Sequence, residues 1–108
     1  MFEICNNKGF LVTFPNGITL STQFGGGDYC MNFDDPVERY SEGRKCVDSE
    51  IAIVDEGGNW RTKEVMVLAG EPEPPDNVVG HVTVEVWCKV VEACRKIPGE
   101  SLEKGKFF

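Results

Sequence analysis

The stretch FLVTFPNGITLSTQF, Phe10 to Phe24, decides the fold. Apolar and polar residues alternate on both sides of Pro15-Asn16-Gly17, so the stretch reads as two strands joined by a tight turn. Two registers compete. A two-residue Asn16-Gly17 turn sets Phe14 opposite Thr19 and Val12 opposite Ser21, apolar against polar. A three-residue Pro15-Asn16-Gly17 loop sets Phe14 opposite Ile18, Val12 opposite Leu20 and Phe10 opposite Thr22. The second register gathers Phe10, Val12, Phe14, Ile18, Leu20 and Phe24 on one face and leaves Thr13, Thr19, Ser21 and Gln23 on the other. It also suits the turn chemistry, with Pro15 at the second position of a type I turn and Gly17 in the left-handed position of a G1 bulge. A slip of one residue turns a whole face over, so the three-residue loop is expected.

Outward from the hairpin, Phe2-Glu3-Ile4-Cys5 reads as a short preceding strand closed by Asn6-Asn7-Lys8-Gly9. On the other side the chain runs into QFGGGDYC, Gln23 to Cys30, then an irregular acidic segment from Asn32 to Ser49 in which Asp34-Asp35-Pro36 marks a turn or a helix start. SEIAIVDEGGNWRTKEVMVL, Ser49 to Leu68, is expected to form a second hairpin. Its turn is Glu56-Gly57-Gly58-Asn59, and its return strand runs from Trp60 to Leu68 with an irregularity near Lys63-Glu64. Pro72, Pro74 and Pro75 make Glu71 to Asp76 a stiff surface connection. His81 is expected in a loop or at a helix entrance. Beyond it Trp87, Val90, Val91, Cys94 and Ile97 recur at helical spacing, with Thr83 as the N-cap, Glu85 near the positive end, Arg95 and Lys96 near the negative end, and Pro98-Gly99 as the stop. These elements give an α+β fold: an antiparallel sheet of four to five strands, built from two hairpins, with one C-terminal helix packed on one face. Phe10, Val12, Phe14, Ile18 and Leu20 are expected to meet Trp87, Val90, Val91 and Cys94. A chain of 108 residues suits a single domain, 1–108, with residues 100–108 a loose tail.

Bulk composition narrows the function. A formal net charge of −7 disfavours direct binding to nucleic-acid backbones and to anionic membrane surfaces, and is compatible with a basic protein partner. Of the five cysteines no pair is spaced C-x-x-C; Cys88 and Cys94 lie about 9 Å apart along one helix, too far to bridge. Met1-Phe2-Glu3 lacks a basic start and a long apolar run, so reduced thiols in a cytoplasmic protein are expected. No apolar run reaches membrane-spanning length.

Each candidate for chemistry has a plain reading beside it. Gly25, Gly26 and Gly27 let main-chain N–H groups converge on an anion, but no P-loop or dinucleotide pattern surrounds them and Asp28 repels a phosphate. A strand exit that re-aims Tyr29 and Cys30 is the simpler reading. Cys30 is a candidate nucleophile, with His81 the sole histidine to serve as its base; Asp28 would raise rather than lower a thiol pKa, so catalysis is not expected. The cysteine separations do not spell a zinc site, and Asp34, Asp35, Glu38 and Glu42 lack the spacing of a calcium loop; no metal or cofactor is expected. Those four acids read as a solvated face or as a surface that meets a basic partner. The polar hairpin face of Thr13, Thr19, Ser21 and Gln23 reads as solvent-facing, with a second subunit (a homodimer) or a shallow ligand pocket shared with Tyr29 as its other uses.

NGITLSTQFGGGDYC, Asn16 to Cys30, resembles a recurrent pattern in small, uncharacterised bacteriophage and prophage proteins, where an Asn-Gly turn leads into T-x-S-x-Q-F-G-x-G-x-Y-C. Ser49 to Trp60 and Asn77 to Ile97 fit the same order, so the resemblance covers about half the chain. The chain departs from the pattern at Val84, where a proline is common, and in an acidic insertion around Glu38 to Asp48. The resemblance implies an anti-defence accessory protein of anti-CRISPR type. Such a protein would be non-enzymatic and would inhibit a host defence protein or complex in the host cell cytoplasm through an acidic surface at Asp34, Asp35, Glu38 and Glu42. A sponge for a nucleotide signal near Gln23, Gly25, Gly26, Gly27, Tyr29 and Cys30 is the alternative, and a small Cys30-dependent enzyme a third.

Overall fold

The computed structural model describes residues 1–5, 8–25, 28–31, 34 and 45–99. Five strands form one antiparallel sheet in chain order: β1 (Phe2–Cys5), β2 (Gly9–Thr13), β3 (Thr19–Gln23), β4 (Asp48–Val54) and β5 (Val78–Thr83). Two helices complete it, α1 (Thr62–Leu68) between β4 and β5, and α2 (Val84–Lys96) after β5. The architecture is α+β with a C-terminal helix.

The β2–β3 hairpin has the three-residue register. Val12 pairs with Leu20 and Phe10 with Thr22. The Phe14 amide donates to the Ile18 carbonyl at 2.9 Å, the Gly17 amide donates to the Phe14 carbonyl at 2.9 Å, and Gly17 has φ +87°. The turn also reaches a second element. Asn16 Nδ2 donates to the carbonyls of Cys94 and Ile97 at 2.8 and 2.9 Å, while its Oδ1 accepts from the Ile18 amide at 3.1 Å. It therefore satisfies carbonyls at the end of α2 that no helical partner can reach. A Cβ at Gly99 would run into the Asn16 carbonyl oxygen, so the glycine is needed for this close approach.

The sequence expectation fails on the second hairpin. The chain does turn at 56–59 and begins to return, with a Val54–Trp60 bridge and the Arg61 amide on the Ile53 carbonyl at 2.8 Å. It then leaves the sheet: Thr62–Leu68, expected as a strand, is α1. The supposed irregularity at Lys63-Glu64 is the first turn of that helix. Strand-like alternation is absent from the stretch, since Val65, Met66, Val67 and Leu68 run together, and α1 buries Val65 and Met66 while exposing Val67 and Leu68. The true neighbour of β4 is β5, which lies where a loop or helix entrance had been expected. Its register against β4 shifts between Ser49 and Ile51, and His81 at this irregularity has φ +54°.

The helix signals in the last part of the chain are realised locally. Thr83 is the N-cap, and its Oγ1 accepts from the Val86 amide at 3.3 Å. The core joins Ile18 and Leu20 of the hairpin, Ile51 and Ile53 of β4, Val82 of β5, Val65 and Met66 of α1, and Val90, Ala93 and Cys94 of α2 with Ile97 at its C-cap, and Phe14, Trp87 and Val91 pack against it. Val12 is half-buried. Phe10 meets Trp87 edge-on, ring centroids 6.2 Å apart, and the indole Nε1 donates to Thr22 Oγ1 at 2.8 Å. No helix among the described residues is long and apolar enough to cross a membrane.

Candidate functional site

The loop after the glycines is fastened by its own acid. Asp28 is buried, accepts from the Gly25 amide at 3.0 Å and lies 3.7 Å from the Lys8 ammonium. Its amide returns a bond to the Gly25 carbonyl at 3.1 Å. Asp28 therefore closes the turn instead of facing a ligand. Gly26 and Gly27 lie outside the described residues, as do Asp35, Glu38, Glu42 and the tail 100–108. Asp34 is exposed.

Beyond Asp28 the chain lies along the β4–β5 end of the sheet. The Tyr29 amide donates to Glu50 Oε2 at 2.8 Å, the Tyr29 carbonyl accepts from the His81 amide at 2.8 Å, and the Met31 amide donates to Asp48 Oδ1 at 2.7 Å. Contact is close enough that a Cβ at Gly80 would sit 2.6 Å from the Tyr29 Cβ. The Tyr29 side chain is exposed, whereas Cys30 is 2% exposed. Gln23 sits on β3 opposite Glu50 and donates from Nε2 to Ser21 Oγ at 3.2 Å. On the same polar face Thr13 and Thr19 share a 2.9 Å hydroxyl contact.

This packing assembles a cluster of chemical groups. Cys30 Sγ, Cys46 Sγ and an Asp48 carboxylate oxygen lie within 4.8 Å of one another. The Cys30 thiol donates to the Gly25 carbonyl at 3.7 Å and the Cys46 thiol to Asp48 Oδ1 at 3.6 Å. His81 Nδ1 stands 3.0 Å from Asp48 Oδ2. Burial opposes a charge on Asp48, but hydrogen bonds from the Met31 amide, His81 and Cys46 outweigh it and hold the carboxyl below its usual pKa. His81 thus engages the Asp48 carboxylate. None of the five cysteines is joined to another by a disulfide. Burial pushes the Cys94 thiol up to about 12, leaving it an inert core side chain.

Cys46 and Asp48 also border a pocket of about 260 Å³ lined by Phe10, Phe24, Val82, Val84 and Trp87. Phe10 packs edge-on against both Phe24 and Trp87. The walls are aromatic and aliphatic, with one carboxylate at the rim. A larger groove of about 410 Å³ between α1 and α2 is bordered by Lys89, Glu92 and Lys96, and Glu92 already pairs with Lys96 at 3.4 Å.

The sequence points to Cys30 and Tyr29 and offers His81 as a hydrogen bonder at a helix entrance or, less simply, as a base for a thiol. It gives no sign of Cys46, Asp48 or the aromatic pocket. Cys46-Val47-Asp48 carries no recognisable spacing to Cys30 or His81, so only their meeting in space reveals them. Comparisons with protein-family models, with curated proteins and with solved structures return no match.

Proposed function

We propose that the chain is a non-enzymatic, phage-type accessory protein that inhibits a host antiviral defence by binding one of its protein components. The resemblance in Asn16 to Cys30 and the net charge of −7 support this reading. The observation that carries it is the sheet edge left open among the described residues. β1 is the terminal strand, and Phe2 and Ile4 on it are 79% and 78% exposed. Soluble proteins usually blunt such an edge, because it templates strand pairing and presents apolar surface. An edge of this kind suits a partner that adds an extended segment beside β1, with main-chain bonds for affinity and Phe2 and Ile4 as anchors. Asp34, Asp35, Glu38 and Glu42 add negative charge that speeds encounter with a basic partner.

The test is plaque formation by a defence-targeted phage on bacteria expressing the chain. The wild-type chain should restore plaques against at least one defence system. Ile4→Asp should abolish the effect, and reversing Asp34, Asp35 and Glu38 to lysine should slow association with the captured partner and flatten its salt dependence. Protection that survives both variants, or none across a panel of systems, overturns the reading. A native mass of two chains would assign the β1 edge to a second copy instead.

The pocket favours a second reading, a small-ligand sponge. Its site shifts from the glycine loop to Phe10, Phe24 and Trp87. The apolar walls and the Asp48 carboxylate suit a flat apolar molecule bearing an amine or another donor better than a nucleotide phosphate. Aromatic amines should raise the melting temperature in proportion to the logarithm of their concentration, nucleotides should not, and Trp87→Ala should remove the shift. A flat response to both libraries disposes of this reading.

A further inference from the structure

We infer that Cys30, Cys46 and Asp48 form a binding site for a thiophilic divalent cation, zinc being the natural occupant, with His81 positioning the carboxylate. The donor set decides the class of ion: two sulfurs and one oxygen suit zinc, whereas magnesium and calcium take oxygen ligands. The three atoms already lie within 4.8 Å of one another. Tetrahedral zinc with sulfur at about 2.3 Å sets its ligands about 3.8 Å apart, so the side chains need to close by about 1 Å. The contacts that the two thiols make here include thiol to carbonyl at 3.7 Å and thiol to carboxylate at 3.6 Å, both long.

The surroundings are arranged for it. Asp48 is held on one oxygen by the Met31 amide and on the other by His81, the outer-shell support that orients a ligating carboxylate. His81 reaches Asp48 from a left-handed backbone conformation at the β5 irregularity, and its amide is spent on the Tyr29 carbonyl of the Cys30 loop. A non-glycine residue held there is strained, and strain of this kind collects where a side chain has to be aimed. Metal uptake releases the two thiol protons to solvent and leaves two thiolates and one carboxylate on the ion, with the fourth position taken by water. The bond also joins residue 30 to residues 46–48, closing the intervening acidic segment into a loop.

The test uses the full chain, reduced and metal-free, titrated with cobalt(II) and then with zinc(II). One equivalent of cobalt should give a thiolate-to-metal charge-transfer band, and zinc should bleach it. Cys46→Ser should weaken zinc binding by at least about 100-fold and leave a band of half the intensity per bound cobalt. His81→Ala should weaken it by about 10-fold, the usual effect of removing an outer-shell partner. Cys88→Ser, on the exposed surface of α2, should change nothing. If Cys30→Ser does not fold, the Cys46→Ser band still reports whether two thiolates bind. No band, a band unaltered by Cys46→Ser, or a Cys30–Cys46 disulfide formed in place of metal uptake overturns the assignment.

Discussion

Arg61→Ala should destabilise the protein by about 3–5 kcal/mol, the cost of stranding one partner of a buried ion pair. The Arg61 and Asp55 side chains are each 1% exposed, with Nη1 3.4 Å from Asp55 Oδ2, and Nε bonds to Glu64. Asp55 also accepts from the Gly57 amide at 3.0 Å and the Asn59 amide at 2.9 Å, so its carboxylate organises the 56–59 turn. Alanine at 61 leaves that charge buried without its counter-ion, while Glu64, 40% exposed, can turn to water. Among the described residues Arg61 Nη2 has no hydrogen-bond partner, so the arginine is itself incompletely satisfied. Replacing both Arg61 and Asp55 should therefore cost less than the sum of the single changes, by about 0.5–3 kcal/mol. Urea denaturation of the four proteins measures this cycle, and strict additivity would refute the pairing.

The same pair sets an acid limit. Burial opposes ionisation of Asp55, but hydrogen bonds from Asn59, Arg61 and Gly57 prevail and lower its pKa. A carboxyl depressed in the folded state contributes its full stability above the unfolded value of about 4 and loses it as pH falls through the folded value. Wild-type protein should therefore weaken as pH falls below about 4, and Arg61→Ala, which removes one of the contacts that hold the carboxyl down, should lose less stability over the same range. Acid titration followed by circular dichroism reads the difference.

Leu20→Ala should cost about 2–5 kcal/mol, while Ile4→Ala should change stability by less than about 0.5 kcal/mol. Both are large apolar residues on strands of one sheet. Leu20 is fully buried between Val12 and Ile53 in the core. Ile4 is 78% exposed on the outer strand. Equal losses would mean that β1 is covered as well as β3, and would remove the open edge on which the proposed function rests. Total stability for a domain of this size is on the order of 5–15 kcal/mol, so Leu20→Ala should be visible as a large fall in melting temperature.

Two segments depart from their local signals for a common reason. Thr62 to Leu68 and Val78 to Thr83 carry weak and conflicting local signals: valines in both, helix formers in the first, a glycine and a histidine in the second. Thr62 Oγ1 bonds to the Ile53 amide at 2.9 Å and Arg61 to Asp55, contacts between separate elements that start α1 where a strand was expected. β5 exists because β4 offers it an edge. The thiol–carboxylate cluster was hidden for the same reason, since its members belong to segments with no fixed spacing.

The amino-acid sequence by itself determined the β2–β3 register and the body of α2. Pro15 and Gly17 fix a turn, alternation fixes the faces beside it, and Thr83, Arg95 and Lys96 mark the helix ends, all interactions within a few residues. Only the tertiary structure decided what Asn16, Arg61, Cys46 and His81 do. Asn16 and His81 act on groups in distant elements, Cys46 meets Cys30, and Arg61 is buried against Asp55; the free energy of such contacts depends on burial and approach that no local pattern encodes.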